Sequence, residues 1–281
     1  MKTSIIINTY NRPDFLRKSL ISLCHQSVTI EELIIADDGS SEDMLSILNE
    51  FKPQLSCPIK YVTQADKGFR LARCRNNGVR YASGDFLIFL DQDLVYTRHF
   101  LKTMIDHAKK GYFVVAWPVR TTQAQAILMD ETLISHGEYE SVITQQQCKR
   151  VKKQFKKDLF KRLCHFLHLK KSGTKFRGGV AGIFREDYIR INGYDENYIG
   201  WGNEDDDFGR RLYFSGIKGI NPFYNDYPVH LWHPENHNAG ERINLKYHQE
   251  KSKNLGKKLF RCTFGYDNSL GEDQASVIIL P

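Results

Sequence analysis

The stretch Phe86–Asp93 reads FLIFLDQD, five large apolar side chains followed at once by two carboxylates that flank a glutamine. A short, fully apolar run is typical of a strand that is buried on both faces, as strands are in parallel sheets. The acidic ending then lies at the carboxyl end of that strand, where open α/β sheets bind their ligands. Two carboxylates suit Mg²⁺ or Mn²⁺, although the same triplet also suits a solvated loop that caps a helix.

Three earlier segments repeat the pattern of an apolar run that ends in a polar loop. Strands are predicted at Ile5–Ile7, Leu33–Ala36 and Ile59–Thr63. Helical spacing of apolar residues falls between the strands, over 15–24, 42–51 and 68–82. This alternation predicts an α/β fold with a mostly parallel central sheet that helices cover on both faces. The polar loops at 8–12, 37–41 and 91–93 should then converge on one rim of the sheet.

A second acidic cluster occupies residues 200–207, which read GWGNEDDD. Four consecutive carboxylates repel one another, and such clusters are found near metals, cations or proton-transfer chemistry. Trp201 offers a flat apolar face for a sugar ring, and either Glu204 or Asp205 could take a proton from an attacking hydroxyl. The alternative is a helix N-terminus whose acids suit the helix dipole, but that role does not require Gly-Trp-Gly.

Three smaller groups have both a structural and a functional interpretation. The run Asp37-Asp38-Gly39-Ser40 suits a turn with a helix cap, or it supplies a carboxylate that binds a nucleobase or ribose. Arg75 suits a helix surface, or a contact with a phosphate or nucleobase. His230 and His233 have a usable metal-ligand spacing, and His233 lies nearer the polar loop. With two acids at 91–93, one histidine as a third metal ligand is a reasonable hypothesis.

The net charge of +7 is concentrated in one segment. Residues 149–171 hold ten Lys or Arg against one Asp, so the rest of the chain carries −2. This distribution argues against a nucleic-acid-binding protein, because an acidic rim repels phosphates. Apolar residues recur in the segment at helical spacing, at Val151, Phe155, Leu159, Leu163 and Phe166/Leu167. The basic amphipathic helix either binds an anionic membrane surface or packs its apolar face on the domain, and both interpretations stay open.

Six cysteines without a C-x-x-C pair predict free thiols in a reducing compartment. The chain opens on a strand-like run, without the basic and apolar regions of a signal peptide. No window approaches the roughly 18 apolar residues of a spanning helix. We therefore expect a cytoplasmic protein, with peripheral contact to the inner face of the cell membrane if the basic helix binds lipid.

The order of these motifs resembles the GT-A glycosyltransferases of family 2. This resemblance covers about 3–100 and rests on Thr9-Tyr10-Asn11-Arg12, Asp37-Asp38-Gly39-Ser40, Arg75-Asn76-x-Gly78 and Phe89-Leu90-Asp91-Gln92-Asp93. Over about 176–240 the chain is similar to the C-terminal module of family 7 β-1,4-galactosyltransferases, in Arg177-Gly178-Gly179-Val180, Ile191-Asn192-Gly193-Tyr194 and the acidic cluster. Bacterial chondroitin-type polymerases combine similar halves.

The resemblance implies an inverting, metal-dependent hexosyltransferase that uses a UDP-sugar donor and a glycan acceptor, which could be lipid-linked. Mn²⁺ or Mg²⁺ would be held by Asp93 and His233, with His230 as an additional ligand. Asp205 would be the catalytic base, with Glu204 beside it. The metal and Arg75 would hold the diphosphate. The nucleotide-sugar site as a whole would include Thr9, Tyr10, Asn11, Arg12, Asp38, Arg75, Asp91, Gly179 and Trp201.

The family 7 resemblance favours UDP-galactose or UDP-N-acetylgalactosamine as the donor, with Phe176 as the expected site of donor discrimination. Two positions depart from that family's pattern: Asn203 stands where glycine is frequent, and His230 where methionine is common. The expected pathway is synthesis of a surface polysaccharide or lipopolysaccharide. The alternative is a non-catalytic subunit of a polysaccharide synthase that binds a sugar nucleotide or acts as a scaffold.

A single GT-A domain is expected over 1–243, followed by a short helical extension over 244–281. Within the domain we expect a nucleotide-binding half, a variable region with the basic helix, and an acceptor and catalytic half, with the limits 1–110, 111–175 and 176–243. The variable region has weak patterns, and only Phe113–Val119 reads as a strand.

Overall fold

Four parallel strands form half of the central sheet in the computed structural model, which describes residues 1–234, 243–271 and 273–280. These strands are β1 (Thr3–Thr9), β2 (Leu33–Asp37), β3 (Ile59–Thr63) and β4 (Phe86–Asp91). They lie in the order β3-β2-β1-β4 and run parallel to one another. Each contains a predicted strand, which confirms the parallel sheet expected from the apolar runs.

Helices cover both faces of these strands. The connections are α1 (Pro13–Cys24), α2 (Met44–Phe51) and α3 (Leu71–Tyr81). Ile5 and Ile7 point into a core shared with α1 and α2, whereas Ile6 points into a second core under α3. A strand that buries alternate residues in two different cores must be apolar throughout, which is why β1 and β4 read as continuous apolar runs.

The later elements are shorter and more varied. The further helices are α4 (Phe100–Asp106), α5 (Gln123–Leu128), α6 (Glu131–His136), α7 (Gln145–Phe166), α8 (Arg185–Arg190), α9 (Glu204–Phe214) and α10 (Leu245–Asn254). The further strands are β5 (Leu94–Val95), β6 (Tyr112–Val115), β7 (Val119–Arg120), β8 (Val180–Phe184), β9 (Lys218–Ile220), β10 (Val229–His230) and β11 (Ser276–Leu280).

Two long-range pairings bring the second half of the chain to the rim of the sheet. Strand β8 pairs antiparallel with β4, so that Gly179 reaches the carboxyl end of β4 and its C=O accepts the Asp91 N–H at 3.0 Å. A small separate sheet, β5-β10-β7, places His230 opposite Leu94. The Leu231 N–H donates to the Asp93 C=O at 2.9 Å, which ties the histidine segment to the acidic loop after β4.

Two sequence predictions needed correction or extension. The predicted strand Phe113–Val119 is wrong as a single element, because β6 and β7 belong to different sheets. Pro118 explains the break, since proline has no N–H to donate to a strand partner. The predicted C-terminal helix is present as α10, but the same segment then adds β11 to the edge of the central sheet, antiparallel to β3. Residues 235–242, 272 and 281 of the predicted domains lie outside the described residues.

Most of the basic segment lies in helix α7, which ends at Phe166, and residues 167–171 form the turn that follows. Thr144 and Gln147 make reciprocal hydrogen bonds at its start, the arrangement called a capping box. In the described part of the chain, none of the helices combines the length and the apolar composition that crossing a bilayer requires.

Candidate active site

The carboxyl ends of the parallel strands open into a cleft of about 1310 Å³. This is the position at which open α/β sheets bind ligands. Its wall includes every residue to which the sequence analysis assigned a metal, nucleotide-sugar or catalytic role: Thr9, Tyr10, Asn11, Arg12, Asp38, Arg75, Asp91, Asp93, Gly179, Trp201, Glu204, Asp205, His230 and His233. The structure therefore brings both halves of the chain to one cavity.

Asp93, His230 and His233 form a compact group on this wall. His230 Nε2 lies 3.4 Å and His233 Nε2 lies 3.1 Å from the same oxygen, Asp93 Oδ2. The three side chains offer ligand atoms that lie within 4.8 Å of one another. This is the predicted metal group, and the pairing of β5 with β10 is what assembles it.

The hydrogen bonds around this group fit a divalent metal ion. His233 Nδ1 lies 3.0 Å from the Pro234 C=O, so an imidazole with its proton on Nδ1 would donate to this carbonyl and would offer Nε2 to a metal in place of the hydrogen bond to Asp93. Burial opposes ionisation of Asp93, but hydrogen bonds from the two histidines outweigh it and hold the pKa of Asp93 well below its usual range. Asp93 Oδ1 is buried without a partner among the described residues. Two imidazoles and one carboxylate suit Mn²⁺ better than Mg²⁺, which prefers oxygen ligands.

Asp205 lies in the first turn of helix α9 and is held by three hydrogen-bond donors. They are Arg75 Nη1 at 3.0 Å, the Tyr194 hydroxyl at 3.0 Å and the Gly178 N–H at 2.9 Å. A Cβ on Gly178 would overlap all three neighbouring side chains, so only glycine allows this approach. A carboxylate has about four lone-pair sites. One is therefore left for a further donor such as an acceptor hydroxyl.

Arg75 does not present a free guanidinium to the cleft. Its side chain is 1% exposed and pairs with Asp205 and, at 3.5 Å, with Asp91. Glu204 lies 3.9 Å away, and the guanidinium lies 4.9 Å from the centre of the Tyr194 ring. This geometry favours a positioning role, in which Arg75 neutralises the acidic cluster, over the predicted contact with the diphosphate.

Glu204, next to Asp205, has one carboxyl oxygen without a hydrogen bond to any described residue. Its Oε2 atom is buried without a partner among the described residues. Burial and the neighbouring Asp205 raise the pKa of Glu204 to about 7, although Arg75 acts in the opposite direction. Groups with pKa values near neutrality are suited to proton transfer. Because both residues line the cleft and the carboxyl group of Glu204 has a pKa near neutrality, Glu204 and Asp205 both remain candidate bases.

Glu204→Gln is expected to stabilise the protein at alkaline pH. Folding raises the pKa of Glu204 from 4.5 to about 7, so its contribution to stability is complete below pH 4.5 and is lost as the pH rises through 7. Glutamine has no such loss. In EDTA at about pH 8.5 the melting temperature of the variant should exceed that of the wild type by a few degrees. Toward pH 4.5 the two should converge.

Thermal denaturation across this pH range measures the difference. Glu250→Gln provides the control, because Glu250 is an exposed glutamate of α10. A gap between wild type and Glu204→Gln that is the same at both ends of the range would contradict the buried, unpaired environment of Glu204.

The loop before α9 has a backbone that few residues can adopt. Gly200, Gly202 and Asn203 have φ values of +82°, +100° and +75°. Asparagine is among the few non-glycine residues that enter this left-handed region without a large penalty. Asn203 can therefore stand where the family 7 pattern often has glycine. The loop leaves Trp201 49% exposed on the cleft wall.

The other two acids of the cluster have structural partners. Asp206 pairs with Lys175 at 2.6 Å. Asp207 is buried and accepts from Arg211 Nε at 2.7 Å and from Lys251 Nζ at 2.9 Å. Because Lys251 belongs to α10, this ion pair connects the C-terminal helix to α9.

Asp37 and Asp38, which the sequence pattern cannot separate, have different environments. Asp37 accepts from the Ser40 N–H at 2.9 Å and the Tyr61 hydroxyl at 2.8 Å, so its carboxylate stabilises the loop itself. Asp38 lines the cleft. Burial raises the pKa of Asp38 to about 6 and outweighs the hydrogen bond from the Arg70 N–H.

In the loop after β1, some side chains stabilise the loop and others are available to contact a ligand. The Thr9 hydroxyl donates to Gln92, the middle residue of the acidic triplet. Asn11 Oδ1 accepts backbone N–H groups from the loop after β2. Tyr10 is 37% exposed, and the Arg12 guanidinium packs over the Phe15 ring at 5.7 Å. Tyr10 and Arg12 are therefore the members of this loop that can contact a ligand through their side chains.

Gly179 and Phe176 shape the wall beside Asp91. A Cβ on Gly179 would overlap the Asp91 carboxylate, so glycine is needed for the two strands to approach here. Phe176 lines the cleft, yet its ring is 2% exposed and packs 4.7 Å from the Phe208 ring. The packed core beneath the ring therefore fixes the position of the Phe176 side chain.

Two further cleft residues were given no role of their own in the sequence analysis. Asn8 lies beside Asp91 in the sheet, and both its amide atoms are buried without a partner among the described residues. The guanidinium of Arg177 lies 3.3 Å from the centre of the Trp117 ring, and burial lowers the pKa of Arg177 to about 10. The sequence does contain a local signal for a role of Asn8, because this polar amide directly follows the apolar run of its strand. The stacking of Arg177 depends on a distant segment and has no local signal.

Sequence comparison identifies the same two halves. A profile described as glycosyl transferase family 2 matches residues 4–165, and one described as the N-terminal domain of galactosyltransferase matches residues 159–234. Chondroitin synthase from Escherichia coli is 30% identical over 266 residues, which are 88% of this chain and 38% of that protein. The chain therefore spans well under half of the length of this relative.

Solved structures share the fold. S. aureus TarS 1–349 in complex with UDP-GlcNAc has a TM-score of 0.61 at 16% identity, covering 95% of this chain and 69% of that chain. The mannosyltransferase from Pyrobaculum calidifontis in complex with GDP-Man and Mn²⁺ has a TM-score of 0.61 at 17% identity, covering 91% and 65%. Similarity at this level of identity concerns the fold, which is the GT-A architecture predicted from the sequence.

Proposed function

The chain belongs to glycosyl transferase family 2, and we propose that it transfers a hexosyl group from a UDP-sugar to a hydroxyl of a glycan acceptor, with inversion at the anomeric carbon. One observation carries the proposal: the group Asp93, His230 and His233 lines the same cleft as Asp205. The pathway would be synthesis of a surface polysaccharide or lipopolysaccharide. Free thiols at all six cysteines suit the reducing cytoplasm as its location.

The order of the strands supports a position for the nucleotide. Asp38 follows β2 and Asp93 follows β4, and β1 lies between these two strands. If the nucleobase binds at Asp38 and the diphosphate at Asp93, the ribose would lie across the end of β1. At that point the amide of Asn8 has no other partner among the described residues. The UDP-GlcNAc complex of the S. aureus relative supports a UDP-sugar as the donor.

The metal group would act on the leaving group. A divalent ion held by Asp93, His230 and His233 would neutralise charge on the diphosphate as it departs. The Mn²⁺ complex of the P. calidifontis relative supports Mn²⁺ in this role. Arg75 is already paired with carboxylates, so its contribution would be to hold Asp91 and Asp205 in position.

The acceptor hydroxyl would be activated by Asp205. The carboxylate takes the hydroxyl proton while the oxygen attacks the anomeric carbon, a new C–O bond forms, and the bond to UDP breaks on the opposite face. Arg75, Tyr194 and Gly178 fix the carboxylate, so the base is aligned before the substrates arrive. Trp201 would support the acceptor or donor sugar through its exposed face.

We favour UDP-galactose or UDP-N-acetylgalactosamine as the donor. The match of residues 159–234 to a galactosyltransferase profile supports this choice. Phe176 would discriminate between donors, because its ring lines the cleft and the packed core beneath it prevents the ring from moving aside.

A UDP-release assay tests the proposed function directly. With Mn²⁺ present we expect release from one of UDP-Gal, UDP-GalNAc, UDP-Glc or UDP-GlcNAc in the presence of a mono- or disaccharide acceptor. EDTA should abolish release, and added Mn²⁺ should restore it, because the diphosphate then loses and regains its counter-charge. Release that persists in EDTA would contradict the metal-dependent mechanism.

The same experiment distinguishes catalysis from scaffolding. Metal-dependent UDP binding without release from any donor and acceptor pair would support a scaffold subunit. Absence of UDP binding with Mn²⁺ would contradict the nucleotide assignment itself.

A further inference from the structure

Helix α7 exposes a stripe of large apolar side chains. Leu159, Phe160, Leu163, Phe166 and Leu167 are spaced so that they share one side of a helix, and Leu169 follows directly after it. Their exposed fractions are 54%, 62%, 52%, 71%, 53% and 72% in chain order. We call these six residues the outer face of α7. Isolated apolar residues on a surface are ordinary, whereas a contiguous set of this kind marks an interaction surface.

Residues of α7 that precede the outer face already make contacts with the domain. Val151 and Asp158 are buried, and the Phe155 ring packs 5.2 Å from the Tyr224 ring. Asp158 accepts from Trp117 Nε1 at 2.8 Å. The apolar pattern in the sequence therefore divides: its first members pack on the domain, and its later members face outward.

Basic side chains surround the outer face. Exposed cations lie before it, within it and after it in the helix and the following turn, at Lys153, Lys156, Lys157, Arg162, Lys170 and Lys171. In the described ranges, no carboxylate lies within 4 Å of any of them. The surface thus combines apolar bulk with a positive charge that no described residue of the chain neutralises.

We infer that the outer face of α7 docks on an anionic membrane surface. Apolar side chains that enter the interface, flanked by lysines that meet anionic headgroups, are the two contributions that hold interfacial helices on membranes. A second copy of the chain is a poorer occupant, because a symmetric contact would bring two sets of these cations together. A nucleic acid is also a poorer occupant, because its bases could stack on the two phenylalanines of this face but would leave the four leucines without a partner.

A series of side-chain contacts connects the cleft to helix α7. Trp117 binds Asp158 of α7 through its ring nitrogen, and its ring stacks on Arg177, which lines the cleft. Membrane docking would therefore hold the cleft in a fixed orientation to the bilayer. If the proposed transferase function is correct, that orientation suits an acceptor carried on a lipid.

Flotation of the full chain with vesicles tests the inference. Wild type should float with vesicles of phosphatidylcholine mixed with phosphatidylglycerol, and much less with phosphatidylcholine alone or at high salt. Leu163→Ser/Phe166→Ser and Lys156→Glu/Lys157→Glu should each lower the partition coefficient about tenfold or more. Because all four side chains are exposed, the variants should keep the melting temperature of the wild type.

Matched controls come from exposed residues elsewhere. Ile127→Ser/Leu128→Ser removes two apolar side chains that are 74% and 61% exposed on α5, and Lys257→Glu/Lys258→Glu reverses two exposed charges. Both should partition like wild type. Equal partition of wild type and the outer-face variants would overturn the inference, as would self-association in sedimentation velocity that the same substitutions abolish. UDP release on a soluble acceptor should be unchanged in the outer-face variants, so failure of docking and failure of the transferase proposal are distinguishable.

Discussion

Asp205→Asn is expected to reduce kcat by roughly 10²–10⁴-fold, the range over which general-base catalysis contributes. Asparagine keeps the shape of the side chain but cannot accept the proton of the attacking hydroxyl. The affinity for UDP with Mn²⁺ should stay within a few-fold of wild type, because Asp205 lies at the start of α9 and outside the group Asp93, His230 and His233. Initial rates of UDP release and calorimetric titration of UDP measure the two quantities.

Neighbouring acids supply the controls for this prediction. Asp206→Asn changes the next residue, whose carboxylate pairs with Lys175, and should leave kcat within a few-fold. Glu204→Gln tests the other candidate base: a larger loss in this variant than in Asp205→Asn would transfer the assignment to Glu204. Near-normal turnover by a folded Asp205→Asn protein would remove Asp205 from the mechanism.

Asp93→Ala is expected to abolish the stabilisation that UDP provides in the presence of Mn²⁺. The substitution removes the oxygen that lies within 3.4 Å of both histidine nitrogens, and with it the ligand that joins them. Loss of outer-shell partners of metal ligands costs roughly 10–100-fold in affinity, and loss of a ligand itself should cost at least as much. The shift in melting temperature on adding UDP and Mn²⁺ reports this loss, because ligand binding stabilises only the folded state.

Two variants sharpen this second prediction. His230→Met introduces the residue common at this position in family 7 and should weaken Mn²⁺ binding less than Asp93→Ala, because His233 and Asp93 remain. Asp14→Asn alters an exposed carboxylate in the first turn of α1 and should preserve the full shift. An Asp93→Ala protein that retains the Mn²⁺-dependent shift would show that the metal binds elsewhere.

The order of the four parallel strands and of the three helices between them, within residues 3–91, followed from the sequence. Apolar runs such as Phe86–Leu90 report burial on both faces, and a residue at the end of such a run must lie at the rim of the sheet. For the same reason the pattern of the sequence is sufficient to place Asp38, Asp91 and Asp93 at one cleft. These are local properties of the chain, which a local pattern can encode.

The variable region shows where local patterns fail. The apolar run around Phe113–Val119 predicted one strand, and the structure divides it between two sheets at Pro118. Strand β11 was not predicted, because its pairing with β3 joins segments that are distant in sequence. The apolar stripe of α7 predicted an amphipathic helix but left its orientation open, since the contacts of Val151 and Asp158 with the domain depend on the tertiary fold.

The roles of individual charges were also decided by the tertiary structure. The four acids at 204–207 are equivalent in the sequence, yet Glu204 and Asp205 meet Arg75, whereas Asp206 pairs with Lys175 and Asp207 pairs with Arg211 and Lys251. The sequence left Arg75 open between a helix surface and a contact with a phosphate or nucleobase, and in the structure its guanidinium pairs with Asp91 and Asp205. Which carboxylate a cation meets depends on packing between helices that no spacing rule describes.

The pattern of apolar and polar residues was sufficient to predict the α/β class, the rim on which the site lies and the residue types available there. Only the tertiary structure decided that His230 and His233 share one oxygen of Asp93, that Gly178 anchors Asp205, and that the outer face of α7 is exposed. The physical reason is that element type and burial follow from short-range periodicity. The partner of each polar side chain instead depends on long-range pairings, here β4 with β8 and β5 with β10.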